Sequence, residues 1–396
     1  MGLSRLPAAV RRKFQFQIMH TETMTHPAYP AARAAALRIH PHFLHHNHQS
    51  RPDLIPNTHT IETIIDAAFW ASLRREEGLT PRISLAFVRP EHVVGALTLE
   101  RPLPLASPVL TRLAPAVERP GIHLGVWQER GELKVWGTTR NIPSFCFVLE
   151  VLAPGLLVTK HSRGEDSGKF VNVAVLEGDQ IKVIDQSAAS LPDCPDLLTT
   201  LLGLESKMVS EDSVNILIQL AVSMRNHGRG GSLLVVPNHS SEWRHSILKP
   251  LTYSVVPSFS SFSDLLQEDP VERARRRWQE ALHRSVERLA GLTAVDGATV
   301  ITDQYQLLGF GAKIIRRPDL SQIDRMVVTE PVEGSAPEIL APSQIGGTRH
   351  LSAAQFAHDQ RDAIALVASQ DGRFTVFGWS PCESMVHAHR IETLLL

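Results

Sequence analysis

Val295-Asp296-Gly297-Ala298-Thr299-Val300-Ile301 reads as an acid held at a tight turn just before a β-strand. Gly297 and Ala298 remove side-chain bulk where a ligand backbone or ring would approach. A second stretch, Gly346-Gly347-Thr348-Arg349-His350-Leu351-Ser352-Ala353-Ala354, reads as a glycine turn opening a helix. Its first turn carries a hydroxyl, a guanidinium and an imidazole, with Thr348 as the natural N-cap. A carboxylate facing a helix N-terminus and its cations suits a metal-bound nucleoside triphosphate. Each stretch also has a plainer reading. Asp-Gly often marks a hairpin turn, and a capped amphipathic helix can hold its charges in solvent.

The residues around these stretches alternate between helical and strand-like patterns. Val214, Leu217, Ile218, Ala221 and Met224 keep helical spacing, with Asp212 or Ser213 placed to cap the start. Gly230-Gly231-Ser232 leads into a short apolar strand ending at Val236. A helix rich in Arg and Glu is expected from Asp269 to Leu289, solvated on one face and covering a sheet with the other. Thr299 to Ile301, Leu307-Leu308, Ala363 to Ala368 and Arg373 to Phe377 supply further strands. This alternation predicts an α/β domain over residues 205–396, a mixed sheet flanked by helices.

Two further features belong to that domain. Ser369 closes the strand Ala363 to Ala368, and ligands collect at strand ends in open α/β sheets. A surface turn, Ser369-Gln370-Asp371-Gly372, is the competing reading. Gly309 and Gly311 lack phosphate-loop spacing. They mark a strand passing close to a base or ribose, or a bulge.

The first half reads differently. Residues 1–55, rich in Pro, Ala and His with little periodicity, are expected to form a partly ordered lead-in. His40, His42, His45, His46 and His48 invite a metal reading, but without Cys or carboxylate at a recognised spacing a surface or packing role is preferred. Residues 56–195 are expected to form a β-rich α+β domain. A helix from Thr60 to Glu77, ended by Gly78, opens it. Mostly antiparallel strands follow, with hairpins at Glu129 to Glu132 and Glu177 to Gln180. Trp127 and Trp136 read as packing or as pocket walls. The boundary to the second domain is expected between Ala188 and Leu204.

Composition narrows the function classes. At 396 residues, with 43% hydrophobic and 20% charged residues, two or three packed domains are expected. A net charge of -1 advertises neither nucleic acid nor an acidic membrane. Cys146, Cys194 and Cys382 are odd in number and far apart, which suits a reducing cytosol and no disulfide or zinc framework. No apolar run approaches the ~18 residues of a membrane span. Arg5, Arg11, Arg12 and Lys13 have no apolar core behind them, so a soluble cytoplasmic protein is expected.

The order of these features resembles the diadenylate cyclase family. The Asp296-Gly297-Ala298 turn matches its Asp-Gly-Ala motif, and Gly347-Thr348-Arg349-His350 matches its Gly-Thr-Arg-His-Arg motif, within residues 205–380. The β-rich first half resembles the sensor module fused to some soluble members. The resemblance implies that two ATP condense into cyclic di-AMP between facing subunits of a homodimer. It implies that Asp296 binds Mg²⁺ or Mn²⁺ and orients the 3′-hydroxyl. Gly297, Ala298, Gly309 and Gly311 would line the nucleotide, while Gly347, Thr348, Arg349, His350 and Ser369 would hold phosphates. An unidentified ligand would act on the first domain. Three positions depart from the family pattern: Leu351 replaces the second arginine, Val295 a metal-binding His, and Gln370 a metal-binding Glu. No helix-hairpin-helix signature points to DNA. Other readings are a nucleotide-binding signalling module with little turnover, a cyclase for another nucleotide, and a hydrolase using Ser352 or Ser369 without a Gly-x-Ser-x-Gly elbow.

Overall fold

A computed structural model describes residues 26–46, 55–162, 170–185, 216–273 and 275–396. These form a mixed α/β structure with two mixed sheets and eight helices among the described residues. Helix α1 (Pro30–His46) and helix α2 (Thr58–Ser72) lie against one face of the first sheet. That sheet contains β1 (Ile83–Phe87), β2 (Leu97–Pro104), β3 (His123–Glu129), β4 (Glu132–Thr139), β5 (Phe147–Ala153), β6 (Leu156–Ser162), β7 (Phe170–Glu177) and β8 (Gln180–Val183). Their order is β2-β4-β3-β1-β5-β6-β7-β8.

Pairing is antiparallel except between β1 and β3. A parallel pair needs a long crossover, and β2 with helix α3 (Ser107–Leu113) lies in that crossover. The Glu129 to Glu132 hairpin forms as expected. Arg130 (φ 52°) and Gly131 (φ 86°) take the left-handed conformations that a two-residue hairpin demands.

Two expectations for the first half change. Part of the anticipated lead-in is α1, which buries Ala32, Ala35, Ala36, Ile39 and Phe43 against the sheet. These positions keep helical spacing, but small Ala side chains and the internal Pro41 blur the pattern. His40 and His42 are half-buried there, His45 is exposed, and His48 lies outside the described residues. Helix α2 starts where Asn57 Oδ1 accepts from Thr60 N at 2.8 Å. It ends at Ser72 rather than Glu77, and Gly78 (φ 84°) instead sits in a turn closed by Glu76 and Leu79.

The second sheet holds β9 (Gly231–Val236), β10 (Tyr253–Phe259), β11 (Ala298–Thr302), β12 (Leu307–Ala312), β13 (Met326–Thr329), β14 (Glu338–Leu340), β15 (Ile364–Ala368), β16 (Phe374–Ser380) and β17 (Met385–Arg390). Its order is β10-β12-β11-β9-β15-β16-β17-β13-β14, with β9–β11 and β13–β17 parallel. Strand β9 is buried on both faces, as its continuous apolar run requires. Leu233 and Val235 point to the core under helix α4 (Ile216–Asn226), and Leu234 and Val236 to the opposite core.

The expected charged helix is interrupted. After α5 (Ser261–Gln267), the short α6 (Pro270–Arg273) precedes α7 (Arg276–Thr293), because Arg275 is extended at φ −77°, ψ 141°. Helix α7 buries Trp278, Leu282, Val286, Leu289 and Ala290 in the same core as α4. A buried tryptophan of this kind contributes about 3–5 kcal/mol relative to alanine. Helix α8 (Thr348–Asp359) covers the other face through Ala353, Ala354, Phe356 and Ala357.

The two halves touch along β7, β8 and the chain between β13 and β14. Lys182 pairs with Glu330 at 2.6 Å, and Asp185 N donates to Pro331 O at 2.9 Å. Asn172 Nδ2 donates to Thr393 O at 2.9 Å and to Leu396 O at 3.1 Å. The boundary expected between Ala188 and Leu204, and the caps Asp212 and Ser213, lie outside the described residues. Among the described residues no helix is long and apolar enough to cross a membrane.

Candidate functional site

The Asp-Gly turn joins a helix to a strand and is not a hairpin. Helix α7 ends at Thr293, Val295 N donates to Leu292 O at 3.1 Å, and β11 begins at Ala298. Gly297 has φ +96°, and a Cβ there would lie 2.5 Å from the Gly311 carbonyl carbon. Only glycine fits such a position without backbone movement. The turn leaves Asp296 exposed, at the mouth of a cleft of about 230 Å³.

Ser232, Gly297, Ala298, Lys313, Thr348, Arg349 and Ser352 line the same cleft. The structure therefore brings the two sequence motifs together, although they are separated along the chain. The Asp296, Lys313 and Arg349 side chains have neither hydrogen bond nor ion pair with other described residues. Arg349 crosses Gly230, where an added Cβ would meet its Nη1 at 2.9 Å.

Thr348 is not the N-cap of α8. Gly347 takes that position in an extended conformation, and Thr348, Arg349 and His350 are the first helical residues. No side chain caps the helix, so the N–H groups of Thr348 and Arg349 remain available to an anion, whereas His350 N already donates to Gly347 O at 3.0 Å. They border an adjoining cleft of about 370 Å³, lined by Gly346, Gly347, Thr348, Arg349, His350, Ser369, Gln370, Asp371 and Arg373. Thr348 and Arg349 are shared by both clefts.

His350 is buried at 5% exposure, its ring packed over Gly346 and edge-on to Phe377 at 6.0 Å. Burial lowers its pKa most, and Arg390, Arg373 and Arg349 lower it further against the opposing effect of Asp371. The ring is thus neutral near pH 7 and adds no charge to the cleft.

Ser369 occupies both of its expected settings, at the end of β15 and in the turn to β16. Its hydroxyl donates to Asp371, which lowers the Asp371 pKa, and Arg373 pairs with that carboxylate at 3.3 Å. Gly309 and Gly311 line neither cleft, although Gly311 packs behind the Gly297 turn. The space above them is taken by Leu251 and Tyr253, and the β11–β12 register shifts beside them, which is the bulge reading.

Lys313, Ser232 and Arg373 were not anticipated as site residues. Nothing local marks them. Lys313 follows a strand, Ser232 opens one, and only the order of strands in the sheet carries them to the clefts.

Residues 50–140 match the family described as "Probable sensor domain DACNV", the N-terminal domain of diadenylate cyclases. The match runs through α2 and the strands β1 to β4 of the first sheet. No curated protein matches the chain.

Proposed function

We propose that residues 216–396 act as a diadenylate cyclase, condensing two ATP into cyclic di-AMP and two pyrophosphates under control of the first half of the chain. The observation that carries this reading is the meeting of Asp296 and Arg349 in one cleft, which continues through Arg349 into the cleft at the start of α8. The sensor-domain match at residues 50–140 adds a context in which such a module is found.

In this reaction each ribose 3′-oxygen bonds to the α-phosphorus of the facing ATP. The bond from that phosphorus to the bridging oxygen breaks, and pyrophosphate leaves with the electron pair. Asp296 is exposed and unpaired, so it orients the 3′-hydroxyl and is placed to accept its proton. The Thr348 and Arg349 side chains and their two backbone N–H groups at the start of α8 hold phosphate oxygens. Ala298 leaves room for the nucleoside, Gly297 serves the turn by its close packing on Gly311, and neutral His350 offers hydrogen bonding without charge.

Among the described residues Asp296 is the one carboxylate on its cleft. That donor set fits Mg²⁺ or Mn²⁺, which bind few carboxylates and take substrate phosphate oxygens and water for the rest. When bound, the ion neutralises charge on the triphosphate. One protomer provides one such site, so turnover requires a face-to-face homodimer.

Incubation of the protein with ATP and Mn²⁺ or Mg²⁺, beside Asp296→Ala, with products resolved by chromatography and mass detection, tests the proposal. Cyclic di-AMP is expected from the wild type only; intact ATP in both samples overturns it. Leu351, 36% exposed where the resemblance places a second arginine, favours a second reading. That is a nucleotide-binding signalling module with little turnover, or a cyclase for another nucleotide. Calorimetry showing ATP binding without pyrophosphate release selects the signalling module.

A further inference from the structure

Strand β17 carries His387-Ala388-His389, which places two imidazoles on one face of the second sheet. They lie away from the nucleotide clefts. The cleft they line begins at Arg361 to Ile364, at the start of β15, whereas Ala368 and Ser369 at its far end belong to the phosphate cleft. Both residues are buried, His387 at 3% and His389 at 1% exposure, with ring centroids 5.7 Å apart.

Each ring has one nitrogen engaged. His387 Nε2 is 3.0 Å from a Glu383 carboxylate oxygen. A carboxylate accepts, so Nε2 carries a proton and Nδ1 is the nitrogen left to meet a ligand. His389 Nδ1 is 2.8 Å from Thr329 Oγ1. The other two nitrogens, His387 Nδ1 and His389 Nε2, are buried and have no hydrogen-bond partner. Two such orphans on one strand face need a reason, because buried polar atoms are ordinarily satisfied. Asp362 and Ser380 line the same cleft of about 200 Å³.

We propose that His387 and His389 form a binding site for a divalent d-block cation of the Zn²⁺ class, each contributing its unengaged ring nitrogen. Neutral imidazole suits these ions over Mg²⁺ or Ca²⁺. Glu383 behind His387 repeats the carboxylate–histidine–metal arrangement that orients such ligands. Among the described residues no third His, Cys, Asp or Glu completes a metal-holding group. Water therefore fills the remaining positions, and Asp362 is the carboxylate on the cleft that offsets the charge. The site is independent of the nucleotide reading.

The test is zinc titration of the full-length protein against a chromophoric chelator, comparing wild type with His387→Asn/His389→Asn and with Glu383→Gln. The chain has 19 histidines, so the difference in stoichiometry is read rather than the total. The double variant is expected to bind one zinc fewer. Glu383→Gln is expected to keep that zinc but bind it about 10–100-fold more weakly. Equal stoichiometry and affinity in all three proteins overturn the proposal. Should circular dichroism show the double variant unfolded, Glu383→Gln decides alone, since its side chain is 43% exposed, and unchanged affinity there overturns the proposal.

Discussion

Gly297→Ala offers a direct test of the turn that holds Asp296. The added Cβ would lie 2.5 Å from the Gly311 carbonyl carbon and 2.9 Å from both Ala312 N and Gly311 Cα. All three are backbone atoms of β12, so no flexible side chain can swing aside. The residue also sits at φ +96°, which costs an L-residue about 1–3 kcal/mol. Forced overpacking adds about 1–3 kcal/mol. Together they predict a loss of roughly 2–6 kcal/mol. Gly291→Ala, four residues before Val295 in α7, is the control. Nothing lies within 4 Å of its Cβ, so it should gain about 0.5–1 kcal/mol as a helical Gly→Ala change. Urea unfolding followed by circular dichroism measures both. A Gly297→Ala protein within about 0.5 kcal/mol of wild type, the range of an ordinary surface substitution, would refute the turn geometry described here.

Two further outcomes are expected. His389 has a folded pKa of about 4 against an ordinary 6.5, so between these values the unfolded chain binds a proton that the native chain does not. Stability therefore falls as pH drops through that window, by at most about 3 kcal/mol from this group. Burial shifts His123 and His350 in the same direction. Urea unfolding at several pH values should show a shallower slope for His389→Gln than for wild type; equal slopes remove His389 as a contributor. Leu351→Arg adds a cation near the start of α8, two residues after Arg349. A charged hydrogen bond of about 1.5–3 kcal/mol should tighten binding of a non-hydrolysable ATP analogue by about 10–100-fold. Calorimetry showing no tightening means that Leu351 does not limit nucleotide binding.

Much of the fold was legible because its signals are local. Ile61, Ile64, Ile65 and Ala68 announce α2 by their spacing, and the apolar run from Gly231 to Val236 announces a doubly buried strand. Arg130-Gly131 marks a hairpin because its backbone conformations are set by residue type. Helix α1 was missed because alanines bury little area each and leave a shallow pattern. Thr348 was placed one residue too early in the capping scheme, since Gly347 can adopt the capping conformation with no side chain to advertise it.

By itself the sequence determined the chemistry on offer near residues 296 and 349: a carboxylate at a glycine turn, and a glycine-led helix start with a guanidinium. Local residue types are enough for that, because turns and helix starts are decided within a few positions. Only the tertiary structure decided that these parts share one cleft, with Lys313 and Ser232 beside them. That convergence depends on the parallel pairing of β9 with β11 and on α8 crossing the opposite face. The structure also decided that His350 is buried and neutral, and that His387 and His389 each turn one free nitrogen into the protein. Burial and partner choice arise from strand order and layer packing among distant segments, and no local pattern encodes them.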